Sequence, residues 1–153
     1  MNFAGEIRVA APRQAVFEAL RNAPFFASCI EGVRDLTEID STHYNAVLET
    51  RVAYMRFKFK VGVEMTRILP PEEIEAKVEG SPLGMVGRLT ATAATRLVED
   101  SGHTIIHYSI DATLSGKLGS MGQPVLNAKA RDMEKQFTTR LAAAFADGAS
   151  PVR

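Results

Sequence analysis

The chain has 153 residues, with eighteen Lys and Arg against eighteen Asp and Glu, and 46% of it is apolar. That is the length of one domain, and a domain of this size withdraws roughly 68–70% of its unfolded surface from water, so it needs no staple. The single cysteine, Cys29, excludes an internal disulfide and a thiolate zinc cluster, and the balanced charge excludes a broad basic face for nucleic acid.

The start "MNFAGEIRVAAP" lacks the basic opening and unbroken apolar stretch of a leader peptide. No apolar run approaches the ~20 residues of a membrane-spanning helix. The expectation is one cytoplasmic domain over residues 1–146, followed by a flexible tail, 147–153.

In "NFAGEIRV", Phe3, Gly5, Ile7 and Val9 alternate with charged residues, which is the period of a strand. "APRQAVFEALRN" changes to helical spacing, with Val16, Ala19 and Leu20 on one face. Pro12 suits the first turn, where its missing N–H costs nothing. After Pro24, "PFFASCI" reads as a short apolar helix or turn.

From Val33 the period is two for about eighty residues. "VRDLTEID" is a weak strand. "HYNAVLETRVAY" sets Tyr44, Ala46, Leu48, Val52 and Tyr54 on one face. "RFKFKVGVEMTRI" opposes Phe57, Phe59, Val61, Val63 and Met65 to Arg56, Lys58, Lys60 and Glu64. Pro70-Pro71 ends that ladder, since neither residue can donate to it. "EIEAKVEG", "GMVGRLTATAATRLVE" and "HTIIHYSIDATLS" are three further strands, and their short connections favour antiparallel neighbours. The last segment, Gln123 to about Ala146, is helical, with Leu126, Ala130, Met133, Phe137, Leu141 and Ala144/Phe145 as its apolar stripe.

These elements predict an α+β fold: a curved seven-stranded antiparallel sheet, apolar on one face, wrapped around a long C-terminal helix, with short N-terminal helices. The interior mixes bulky residues (Met65, Met85, Leu89, Tyr108) with small ones (Gly80, Gly87, Ala91, Ala93, Ala112). Two readings stand: interlocked core packing, or a cavity that the small residues leave open.

Between the last strand and the long helix lies "SGKLGSMG", with Gly116, Gly119 and Gly122 three apart and Lys117 beside the first. A phosphate loop needs glycine five positions before its Gly-Lys pair and Ser or Thr after it; here those positions hold Asp111 and Leu118. A dinucleotide fingerprint needs a βαβ unit and another spacing. These residues are expected to turn the chain onto the helix and to act as a gate or hinge. His43, His103 and His107 fall on polar faces or in a turn, with no metal-ligand spacing. Cys29 lies in an apolar neighbourhood without a His or Lys to activate it. Parity puts the carboxylates, Asp111 included, on the solvent face, so interior chemistry would rest on Tyr44, Tyr54, Tyr108 or Thr95. No catalytic residue, metal or cofactor is expected.

The stretch "AAPRQAVFEALRNAPFFASCIEGV" resembles the signature of the START/Bet v 1-type (SRPBCC) superfamily. More narrowly, "FFASCIEGV", "YNAVLETRV", the "PP" pair, "HYSIDATLSGKLGSMG" and "KQF" are similar to the CoxG family of carbon monoxide dehydrogenase subunits, over roughly residues 1–145. That family commonly has Pro where Glu31 stands. The resemblance implies a non-enzymatic accessory protein that holds a hydrophobic molecule, a quinone or another lipophile, between sheet and helix. It implies service to a molybdenum hydroxylase of the carbon monoxide dehydrogenase type, as monomer or homodimer, in the cytoplasm or against the inner face of the membrane. On this reading the ligand wall comprises Phe25, Phe26 and Ile30 from the short helix, and Leu48, Tyr54, Phe57 and Phe59 from the central strands. Met85, Leu89 and Tyr108 continue it, and Met121, Val125, Met133 and Phe137 close it from the helix side. A hydroxyl of Tyr54 or Tyr108 would meet a quinone carbonyl. The rival expectation is a polyketide cyclase or aromatase using the same cavity with Tyr108 as proton donor; a third is a fully packed interaction module.

Overall fold

The computed structural model describes residues 1–146; the tail expected over 147–153 lies outside them. The order is β1 (Asn2–Val9), α1 (Arg13–Arg21), α2 (Ala23–Ser28), β2 (Val33–Glu38), β3 (His43–Val52), β4 (Met55–Leu69), β5 (Glu73–Pro82), β6 (Gly87–Asp100), β7 (His103–Ser115), α3 (Gly116–Gly119) and α4 (Gln123–Ala144). All seven strands form one antiparallel sheet in the order β1-β7-β6-β5-β4-β3-β2. The expected fold class is the observed one, with a single helical turn, α3, added before the long helix.

Local chemistry sets the boundaries. Ser101 and Gly102 both carry positive φ (52° and 79°), the backbone of a two-residue hairpin turn, and join β6 to β7. The Asn22 side chain accepts from the Phe25 N–H at 2.9 Å and caps α2, with Pro24 in its first turn. Pro12 is the N-cap of α1 rather than a residue of its first turn, its ψ of 151° still extended. Gly122 caps α4 at φ 93°. Thr104, wholly buried, donates its hydroxyl to the Ala11 carbonyl at 2.8 Å and ties the β1–α1 corner to β7.

The inner face carries two separate packed clusters. The first joins Ile7, Val9, Val16, Phe17, Leu97 and Ile106 to Leu141 of α4 and to Phe145, the residue that caps its end. The second joins Val52, Phe57 and Phe59 to Leu118 of α3 and Leu126 of α4. The long helix is thus fixed near both ends. Between the clusters two rows cross the sheet: Val63–Val78–Ala91–Ala112, and Ala76–Ala93–Ile110–Phe3. Apart from Ala112, every residue of these rows is only half-buried, as is Met133 in the middle of α4. A closed core buries side chains of this kind. The middle of the grip is therefore less deeply buried than the two clusters.

Candidate functional site

A cleft of about 540 Å³ lies beside α4. Its lining comes from the α2–β2 connection (Ile30, Glu31, Gly32, Val33, Arg34), from β3 and β4 (Glu49, Thr50, Arg51, Arg56) and from one side of α4 (Lys129, Asp132, Met133, Gln136). It exists because β2 begins pairing only where Val33 meets Leu48, so β3 beyond that point has a free edge. Gly32, at φ 89°, fits there because a Cβ would stand 2.1 Å from the Glu49 carbonyl oxygen. The rim is charged, with Arg34 paired to Glu49 at 3.1 Å. A second groove of about 480 Å³ is lined from β1, β4, β5, β6 and β7, by Ala4, Thr92, Ala94 and Ser109 and also by the whole Ala76–Ala93–Ile110–Phe3 row, with no residue of α4.

The expected apolar wall is distributed rather than continuous. Leu48, Phe57, Phe59, Met85, Met121 and Val125 belong to the second packed cluster, and Phe25, Tyr108 and Phe137 adjoin the first. The Phe26 ring lies 5.2 Å from that of Phe137, centroid to centroid. Only Ile30 and Met133 line the cleft. Leu89 faces the interior over Gly80, whose absent Cβ would meet Leu89 Cδ2 at 3.4 Å. Tyr54 is a correction: it is 87% exposed in the β3–β4 turn, because the strand ends at Val52 and Ala53 adopts φ 55°.

The glycine segment turns the chain as expected. Gly116 (φ 71°) bridges Gly87 where a Cβ would strike the Val86 carbonyl, and Gly119 sits 2.7 Å, by the same measure, from the Leu114 carbonyl. Between them Leu118 is buried and anchors the turn to the second cluster. Lys117 is exposed.

Two phenols flank the half-buried rows of the sheet. Tyr44 pairs with Val63 at the end of one row, its own hydroxyl without a hydrogen-bond partner among the described residues, and burial pushes its pKa up. Tyr108 lies across Gly5, where a Cβ would come within 2.6 Å of its hydroxyl, and donates to Glu134 of α4. Burial first, and then that carboxylate, hold the Tyr108 phenol well above its ordinary range. Parity over the strands could not find Glu134, which reaches the sheet from the helix. The Cys29 thiol is buried, and burial raises its pKa against the opposing influence of Ser28 and Arg140, which makes it a poor nucleophile. Among the described residues no group of three His, Cys, Asp or Glu is placed to hold a metal ion, and no helix is long and apolar enough to cross a membrane.

A curved antiparallel sheet closed by a C-terminal helix, with small N-terminal helices, defines the Bet v 1-like helix-grip class. The chain superposes on a conserved protein from Geobacillus kaustophilus with a TM-score of 0.87 at 24% identity, over 96% of each chain. The Zhui aromatase/cyclase of a Streptomyces strain aligns over 95% of both chains (TM-score 0.69, 13% identity), and Ara h 8.0201 over 96% of this chain and 98% of its own (0.66, 11%). No curated protein sequence matches significantly. The model of the CoxG family of carbon monoxide dehydrogenase subunits matches residues 5–146, and the chain belongs to that family.

Proposed function

We propose that this protein is a non-enzymatic carrier that holds a lipophile in the strip between its two packed clusters, with a quinone as the ligand. The observation that carries the reading is the pair of half-buried rows built on Ala76, Ala91 and Ala93 beneath the middle of α4. An apolar ligand there gains roughly 25 cal/mol for each Å² it withdraws from water, with a few polar groups fixing its orientation. Tyr44, which has a free hydroxyl, takes the orienting role that the sequence offered to Tyr54; Tyr108 already donates to Glu134. Membership of the CoxG family supports an accessory role beside a molybdenum hydroxylase of the carbon monoxide dehydrogenase type. The side cleft is the entry.

Native mass spectrometry of the purified protein, with organic extraction of what it carries, tests the reading. A bound isoprenoid quinone, lost in a folded Leu89→Glu variant, is the expected result. A protein that is empty and whose melting temperature ignores added menaquinone would overturn it.

One observation favours a second reading. The Tyr108–Glu134 pair is an acid–base couple at the edge of the strip, and two of the structural neighbours are an aromatase/cyclase and a di-domain ARO/CYC protein. If the protein cyclises a polyketide, Tyr108→Phe abolishes turnover while leaving binding intact.

A further inference from the structure

The sheet has two edge strands, and they are built differently. β2 is six residues long, its register with β3 shifts between Arg34 and Thr37, and Asp35 within that shift takes φ 54°. Short length and an irregular register are devices that keep an edge strand from pairing with another chain. β1 has neither. It runs for eight residues without a proline or a shift, from Asn2 opposite Asp111 to Val9 opposite Thr104. Its backbone is only half satisfied. The Ala112 N–H donates to the Met1 carbonyl at 2.8 Å, so Met1 turns that carbonyl towards β7. By the period of two, Phe3, Gly5, Ile7 and Val9 do the same, and the N–H and carbonyl groups of Asn2, Ala4, Glu6 and Arg8 point off the sheet. These four residues have no other backbone partner among the described residues, and all four are exposed.

Charge identifies the strand that fits this edge. A second copy of β1, antiparallel and related by a two-fold axis, must set even-numbered residues opposite one another, because they carry the free groups. Centred on Glu6 or on Arg8, such a ladder opposes like charges, which destabilises it. Centred on Gly5, it leaves both charges opposite neutral residues. Centred on Ile7, it places Glu6 of each copy opposite Arg8 of the other, so the attraction is made twice. Ala4 then meets Ala10, and on the inner face Gly5 meets Val9. Each new ion pair also continues one already present within a copy: Glu6 lies 3.2 Å from His107, and Arg8 lies 3.4 Å from Asp100. A row of alternating charge thus crosses the joint on the outer face.

We propose that β1 pairs antiparallel with β1 of a second copy of this chain about a two-fold axis at Ile7, so that two seven-stranded sheets become one continuous sheet. The joint borders Phe3, which ends one half-buried row, and Gly5, across which the Tyr108 ring lies. The pairing itself does not depend on which ligand the protein carries, or on whether it carries one.

Charge reversal tests the register. Glu6→Arg opposes two pairs of cations when the variant pairs with itself, and Arg8→Glu opposes two pairs of carboxylates. One chain of each variant restores both attractions. Sedimentation of the natural chain should show a dimer that grows with concentration. Each variant alone should self-associate at least about tenfold more weakly, since two cross-strand attractions become two repulsions. Their equimolar mixture should dimerise as well as the natural chain. Melting temperatures of dilute samples check folding, because the exposed pairs lost to His107 and Asp100 contribute little. Hydrogen exchange of the natural chain, followed by NMR, gives a readout free of any variant. The Ala4, Glu6 and Arg8 amides should exchange fast when dilute and become protected as concentration rises, while those of Gly5 and Ile7 stay protected throughout. A natural chain that remains monomeric up to about 1 mM would overturn the proposal, as no pairing weaker than that is specific. A dimer that neither variant weakens, or a mixture no stronger than its components, would overturn it too. Even-position amides protected at every concentration would mean that the chain covers this edge itself, and would overturn it as well.

Discussion

Enlarging Ala91 decides whether the middle of the grip is unfilled. Ala91 faces the interior between Val78 of β5 and Ala112 of β7, half-buried. Ala91→Leu adds three carbons, worth up to ~2 kcal/mol if all leave water and about half that at this depth. Where space is free, the change is neutral or stabilising by ~1 kcal/mol. In a closed core the same enlargement costs about 1–3 kcal/mol. Ala19 on α1, with no exposure at all, supplies that comparison: Ala19→Leu should destabilise by that amount. For a chain of this length each kcal/mol moves the melting temperature by about 2–4 °C, so the two variants part by several degrees in a thermal scan, and urea midpoints give the same order. Ala91→Leu should also exclude the ligand it displaces. A fall of 1 kcal/mol or more in Ala91→Leu, comparable with Ala19→Leu, would refute the unfilled strip and the carrier reading with it.

Other substitutions probe single contacts. Thr104→Val strands the buried Ala11 carbonyl and should cost about 1–2 kcal/mol in urea unfolding. Tyr44→Phe leaves stability nearly unchanged but should weaken quinone binding about fivefold in a titration, the worth of one hydrogen bond of about 1 kcal/mol. At the β2–β3 turn the Thr42 backbone N–H first, then His43, hold the Asp40 carboxyl down at about 2, while Asp40 in turn raises the pKa of His43. The Asp40 contribution is therefore present above the ordinary carboxylate range and lost as pH falls towards 2; that of His43 is complete below about 6.5 and lost as pH rises through its elevated value. Asp40→Asn should bring the His43 titration, followed by NMR, back down towards its ordinary position.

The fold was legible because strand periodicity is local. From His43 to Ser115 apolar side chains return every second residue, and Ser101-Gly102 and Pro70-Pro71 punctuate the pattern. Tyr54 was misplaced for the same reason: nothing in Val52-Ala53-Tyr54-Met55 marks a turn, and the positive φ of Ala53 is imposed by hairpin closure rather than by the residue's own preference. The site was less legible because it depends on register. Ala76, Ala91 and Ala93 could pack or leave space, and that they fall in adjacent rows follows from the strand register rather than from the local pattern. Glu134 lies one residue beyond Met133 on α4, off the apolar stripe, and meets Tyr108 only because Gly5 lets the ring lie across its strand. The charged cleft rim joins three segments far apart in sequence, each of which reads by itself as a solvent face.

The strand order also governs how the molecule is made. β1 pairs only with β7, from Asn2 opposite Asp111 to Val9 opposite Thr104, so the first strand synthesised has no partner until nearly the last. At typical translation rates that interval is about 5–20 s. The five hairpins from β2 to β7 can close in turn while β1 waits, and the N-terminal arm then zips onto the finished meander. A nascent chain stalled before β7 would therefore display β1 as an unpaired strand, open to pairing with a neighbouring chain.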